Sequence, residues 1–208
     1  MRSKNAKFFD DIPLELPLRK ILSRLGFNFT NTVVDKPEMD KILSLIKDAF
    51  FTCKISGGYR SLRIINKTRD SILFENDHLI KSAGITGLLK DSNEVLFLFA
   101  TAGVEIVNHR DNLIKNDDLK TAVIYDAVGS EAADGGLSWI HKHISNQLIK
   151  ETGIVTERRF SPGYGDLTMD TQKFIYELLE MNRYHIVLSE NYIFSPEKTV
   201  SAIAGITI

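Results

Sequence analysis

Cysteine is nearly missing: Cys53 is the single one among 208 residues. No disulfide can close within the chain, and no cysteine-based zinc or iron–sulfur framework fits inside it. Cys53 therefore reads as a small buried hydrophobe. An excess of either charge is missing too. Lys and Arg number 26 against 27 Asp and Glu, a formal charge of −1 with a pI near 6.5. Phosphate-backbone binding requires a basic stripe, so no nucleic-acid partner is expected. Long apolar runs are absent. The longest, Val95–Ala100, falls far below the roughly 20 residues that span a bilayer. The start, M-R-S-K-N-A-K-F-F-D-D, has no secretion-signal core. A cytoplasmic protein without a membrane partner is the expectation. The signatures G-x-S-x-G, G-x-x-x-x-G-K-[ST], H-E-x-x-H and G-x-G-x-x-G do not occur either.

What is present is an ordinary globular composition, 43% hydrophobic and 25% charged. Leu14, Leu18, Ile21, Leu22 and Leu25 recur at helical spacing, with Pro17 suited to a first turn and Gly26 to a stop. After Pro37 the stripe Met39, Ile42, Leu43, Ile46 and Phe50 predicts a second helix. Gly57-Gly58 breaks the pattern, and Ser61–Ile65 and Ser71–Glu75 predict a hairpin around a polar loop. Glu94–Thr101, E-V-L-F-L-F-A-T, predicts a central strand covered on both faces.

From about Asp118 to Lys150 the pattern is helical. Gly129, Ala132, Ala133, Gly135 and Gly136 crowd its middle, which signals either a close approach or a break at Gly135-Gly136. His141 and His143, two apart on that helix, face different directions and are read as solvated or partly packed rather than as a metal pair. A helix over about Met169–Met181, capped by Asp170 or Thr168, and strands over Ile186–Ser189 and Val200–Ile208 complete the chain. No repeat or long linker divides it, so a single mixed domain is expected.

One stretch points to a ligand. In R-F-S-P-G-Y-G-D, Arg159 to Asp166, Pro162-Gly163 has the composition of a type II turn. Arg159 offers a forked donor to a carboxylate, Gly163 and Gly165 leave backbone amides accessible, and Tyr164 adds a flat face. The set suits a zwitterionic small molecule with an aromatic part better than a phosphate.

These residues carry a resemblance. R-F-S-P-G-Y-G-D with its following helix, and then L-S-E-N-Y-I-F-S-P-E-K-T-V-S-A-I-A-G, is similar to the activation domain of cobalamin-dependent methionine synthase. That family carries R-x-x-P-G-Y and a later L-T-x-S-x-x-M-x-P-x-x-S-V-S-x-x-x-G. Upstream, A-T-A-G at Ala100–Gly103 and D-A-V-G-S-E-A-A-D at Asp126–Asp134 resemble its A-T-x-G and its small-residue helix, and L-R-K-I-L-S-R-L-G its opening helix.

The resemblance implies an α+β fold: one C-shaped domain with a twisted, mainly antiparallel sheet and flanking helices. Residues 1–50 would form a helical segment packed on an S-adenosylmethionine-binding domain over residues 51–208. It implies that Arg159 meets the ligand's carboxylate, with Pro162, Gly163 and Tyr164 beside it. Asp134 is the first choice for the acidic contact, Glu131 the second, and Glu190 a further acidic candidate. The implied function is support of the reductive methylation of cob(II)alamin, by a component with no catalytic residues of its own. The D-x-H-x-x-G cobalamin motif is absent. Cobalamin would therefore come from a partner methionine synthase chain, with a flavodoxin-like or other electron donor. The alternative reading is a non-catalytic S-adenosylmethionine-sensing or corrinoid-protein-docking module.

Overall fold

The computed structural model describes residues 5–28 and 34–208. Nine strands occur among them: β1 (Lys7–Phe9), β2 (Ser56–Lys67), β3 (Ser71–Phe74), β4 (Leu79–Lys81), β5 (Glu94–Thr101), β6 (Ile154–Val155), β7 (Val187–Leu188), β8 (Phe194–Ser195) and β9 (Thr199–Thr207). The helices are α1 (Leu18–Arg24), α2 (Lys36–Phe51), α3 (Ala83–Leu88), α4 (Glu105–Lys115), α5 (Leu119–Ile149) and α6 (Thr171–Leu178), with a 3-10 turn at Met181–Tyr184. The fold is α+β. Seven strands form one curled antiparallel sheet in the order β4-β3-β2-β5-β9-β6, with β1 also on β2, while β7 and β8 pair apart.

The central strand is the one expected. All eight residues of β5 are buried, and its neighbours β2 and β9 pair with it along the whole length. Alternation then sends Leu96, Leu98 and Ala100 to one face, packed with Ala202, Ala204 and the helical residues Val128, Leu137 and Ile140. Val95, Phe97 and Phe99 go to the other, with Ile85 and Ile175. The sheet thus separates two cores, one under α1, α2, α4 and α5, the other under α3 and α6. Burying a side chain such as Phe97 contributes about 1.5–3 kcal/mol relative to exposure.

Several local expectations need correction. The apolar spacing from Leu14 predicted helix, yet α1 begins at Leu18. Leu16 precedes Pro17, and the proline ring disfavours helical backbone in the residue before it. Gly57-Gly58 lies inside β2 rather than breaking it. A Cβ on Gly57 would stand 2.3 Å from the Phe99 carbonyl oxygen, and one on Gly58 2.7 Å from that of Lys7. The glycines thus admit a strand on either side. Neither Asp170 nor Thr168 caps α6. Asp170 already has helical backbone angles and makes no capping bond, and the Thr168 hydroxyl donates to its carboxylate instead. By contrast α2 is capped by Asp35, which accepts from the Glu38 amide at 2.9 Å.

The small-residue middle of α5 is unbroken. The helix runs for 31 residues, with the Asp118 carboxylate accepting from the Thr121 amide at its start. A Cβ on Gly136 would lie 2.7 Å from Ile55 and one on Gly135 2.6 Å from Leu14. Of the two readings, close approach is correct. Cys53 packs against the helical core, and burial pushes its thiol up to about 12. His141 is half-buried with Nε2 3.0 Å from the Thr156 carbonyl oxygen, and His143 stacks on Trp139. Among the described residues no cluster of three or more His, Cys, Asp or Glu is placed to hold a metal ion. No helix among them is long and apolar enough to cross a membrane.

Candidate functional site

The R-F-S-P-G-Y-G-D stretch folds as its composition dictates. Ser161–Tyr164 closes a turn in which the Tyr164 amide donates to the Ser161 carbonyl at 3.3 Å and Gly163 adopts φ +90°. A positive φ at the third position is the type II requirement, and glycine meets it without a Cβ clash. The Gly163 amide donates to the Leu167 carbonyl at 2.8 Å, so it is used within the loop. Asp166 anchors the far end. Its carboxylate accepts from Ser82 Oγ at 2.6 Å and from the amides of Ala83 and Gly84 at the start of α3. The Ser82 hydroxyl bond, joined by those amides, holds its carboxyl below the usual value.

Beside this turn lies a groove of about 570 Å³, walled by α5, the turn itself, the start of α6, β8 and β9. Its size falls in the range of small-molecule sites. Arg159, Pro162, Tyr164 and Asp134 all line it. Tyr164 is 70% exposed at its mouth. Arg159 is half-buried and donates from Nη2 to Ser138 Oγ at 3.1 Å, while that hydroxyl donates back along α5 to the Asp134 carbonyl at 2.8 Å. Among the described residues no carboxylate forms an ion pair with this guanidinium. Burial lowers its pKa, a shift that the charge of nearby Asp134 opposes.

Asp134 responds in the opposite sense. Burial and then repulsion from Glu131 raise its pKa, against the pull of Arg24, Arg159 and Lys20. The two acidic candidates on α5 therefore separate. Glu131 is buried at 8% exposure and accepts from Arg24 Nε at 2.7 Å, facing α1 and outside the groove lining. Asp134 lies 3.7 Å from the same guanidinium and does line the groove. Glu190 sits on the exposed turn between β7 and β8, and neither it nor Gly163 lines the groove.

Compared with protein-family models and with curated proteins, the chain matches none. Among solved structures it is similar to one described as the MetH reactivation domain bound to AdoHcy, at 16% identity and a TM-score of 0.69. The alignment covers 97% of this chain and 78% of that one. The chain has the fold of a MetH reactivation domain.

Within this reactivation-domain fold, Ser138, which holds Arg159, and several groove-lining residues had no individual signal in the sequence. Ser138 follows Asp134 by one helical turn, a spacing visible only once α5 is known to be continuous. Gln172 is buried at the start of α6 and donates to the Tyr192 carbonyl at 3.0 Å. Glu197 and Thr199–Ala202 line the groove from the loop before β9 and from β9 itself. They lie within S-P-E-K-T-V-S-A, a segment legible as a motif without roles for its members.

Proposed function

We propose that this chain binds S-adenosylmethionine in the groove beside Arg159 and acts as a reactivation subunit. In that role it supports the reductive methylation of cob(II)alamin in a cobalamin-dependent methionine synthase. The observation that carries the reading is the half-buried Arg159 guanidinium. Its hydrogen bond goes to a neutral hydroxyl, and it sits in the fold of a domain whose structure holds AdoHcy. A guanidinium so placed favours a carboxylate ligand, since a charge-assisted pair offsets the cost of its burial.

The other groove residues fit the rest of the molecule. Asp134 supplies a carboxylate for the amino group, and Tyr164 an exposed aromatic face for the adenine. Bound S-adenosylmethionine supplies a methyl group on a sulfonium, which departs as a neutral thioether. Such a transfer requires alignment and no proton donor or acceptor. The chain's task is to bind and to orient. Cobalamin would be carried by a partner methionine synthase chain, with reducing equivalents from a flavodoxin-like or other donor, in the cytoplasm.

Two assays test the reading. Calorimetry with S-adenosylmethionine reports the binding. Incubation with a cobalamin-loaded methionine synthase, S-adenosylmethionine and a reductant reports the reactivation. The expected result is a methylcobalamin spectrum that depends on this chain. Binding without methylation would favour a ligand-sensing module instead.

A further inference from the structure

Among the described residues the groove lining contains three charged side chains: one cation, Arg159, and two carboxylates, Asp134 and Glu197. S-adenosylmethionine carries one negative group, the carboxylate, and two positive ones, the ammonium and the sulfonium. With Arg159 opposite the carboxylate and Asp134 opposite the ammonium, one carboxylate and one cationic centre remain.

Glu197 is held for such a task. Arg110 of α4 and Lys198 both reach it, Lys198 Nζ at 3.5 Å. The same two cations hold Asp126, at 3.0 Å from Arg110 and 2.6 Å from Lys198, and Arg110 also holds Asp111 at 2.6 Å. Two cations among three carboxylates leave the cluster with a net charge of −1. The cations lie inside, with side chains 13% and 10% exposed, while the carboxylates are 45–49% exposed. The surplus negative charge therefore faces outward, and Glu197 is the member of the cluster that lines the groove. Gly129 makes room for this arrangement. A Cβ there would meet the Lys198 stem at 3.1 Å, where the side chain passes along α5 to Asp126 and Ser130.

We infer that Glu197 is the specificity determinant for the sulfonium, the residue by which the groove distinguishes S-adenosylmethionine from its uncharged thioether product. The inference rests on the binding proposed above. Held by a network on α4 and α5, Glu197 need not be ordered when the ligand arrives, so its attraction is not offset by the entropy of fixing a free side chain.

The test is calorimetric titration of the wild-type chain and of Glu197→Gln with S-adenosylmethionine and with S-adenosylhomocysteine, at low and high salt. The wild type should prefer S-adenosylmethionine, and the preference should shrink with salt. Glu197→Gln should weaken S-adenosylmethionine about tenfold while changing S-adenosylhomocysteine by less than about twofold, as expected for one partly screened charge pair. Glu197→Asp should restore part of the preference. Equal losses for both ligands, or an unchanged ratio, would overturn the inference and leave the binding proposal standing. A wild type that binds neither ligand would overturn both. Should Glu197→Gln melt at room temperature, the wild-type comparison decides: no salt-sensitive preference refutes the role.

Discussion

Arg159 and Ser138 join the glycine-rich turn to α5 by one hydrogen bond, Nη2 to Oγ at 3.1 Å. It sets a cation that is half withdrawn from water against a partner with no charge to return. The hydroxyl is itself oriented by its bond to the Asp134 carbonyl. The guanidinium is thus aimed before a ligand arrives.

Removing the cation should cost binding and little else. Arg159→Ala is expected to weaken S-adenosylmethionine by roughly 2–3 kcal/mol, the scale of a charge-assisted pair. Melting temperature should change little. Arg159→Lys should recover only part of the loss, because an ammonium cannot form the two parallel bonds of a guanidinium.

Removing the hydroxyl should show orientation alone. Ser138→Ala is expected to weaken binding by about 0.5–1.5 kcal/mol, the range for one hydrogen bond. Far-ultraviolet circular dichroism should be unchanged. A loss as large as that of Arg159→Ala would mean that Ser138 itself contacts the ligand.

Glu131 and Asp134 should divide by phenotype although only two residues separate them. Glu131 is paired with Arg24 across to α1, so Glu131→Gln should lower stability by about 1 kcal/mol and leave affinity nearly unchanged. Asp134→Asn should do the reverse, weakening binding with little effect on the melt. Thermal denaturation and calorimetry on both variants separate the two roles.

The turn should be acid-sensitive through Asp166. Its folded pKa lies below the ordinary carboxylate value, chiefly through the Ser82 hydroxyl bond and then the amides of α3. Folding therefore favours the ionised form. The contribution is complete above about pH 4 and is lost as pH falls through the lowered value. Asp166→Asn should lower the melting temperature at pH 7 and flatten its decline below pH 4.

How much of this was legible in the sequence depended on whether the signal was local. β5 could be read because the unbroken apolar run Val95–Ala100 suits a strand covered on both faces. The type II turn could be read because proline and glycine fix its dihedrals. α4 was missed: its apolar residues are few, and among them only Ile106 is fully buried. Gly57-Gly58 was misread because the space that glycine makes is set by strands distant in the chain on either side, at Phe99 and Lys7. Arg159 stood out as the cation beside the turn, whereas Glu197 did not, since Arg110, which pairs with it, lies far off in the chain.

The measurement that tests the account most directly is titration of the whole chain with S-adenosylmethionine by calorimetry, with ATP as the control for adenine and charge alone. The account predicts saturable, one-to-one binding that ATP does not reproduce and that Arg159→Ala largely removes. Binding of equal strength in Arg159→Ala would contradict the assignment of the site, and no binding by a folded wild type would contradict the proposed function.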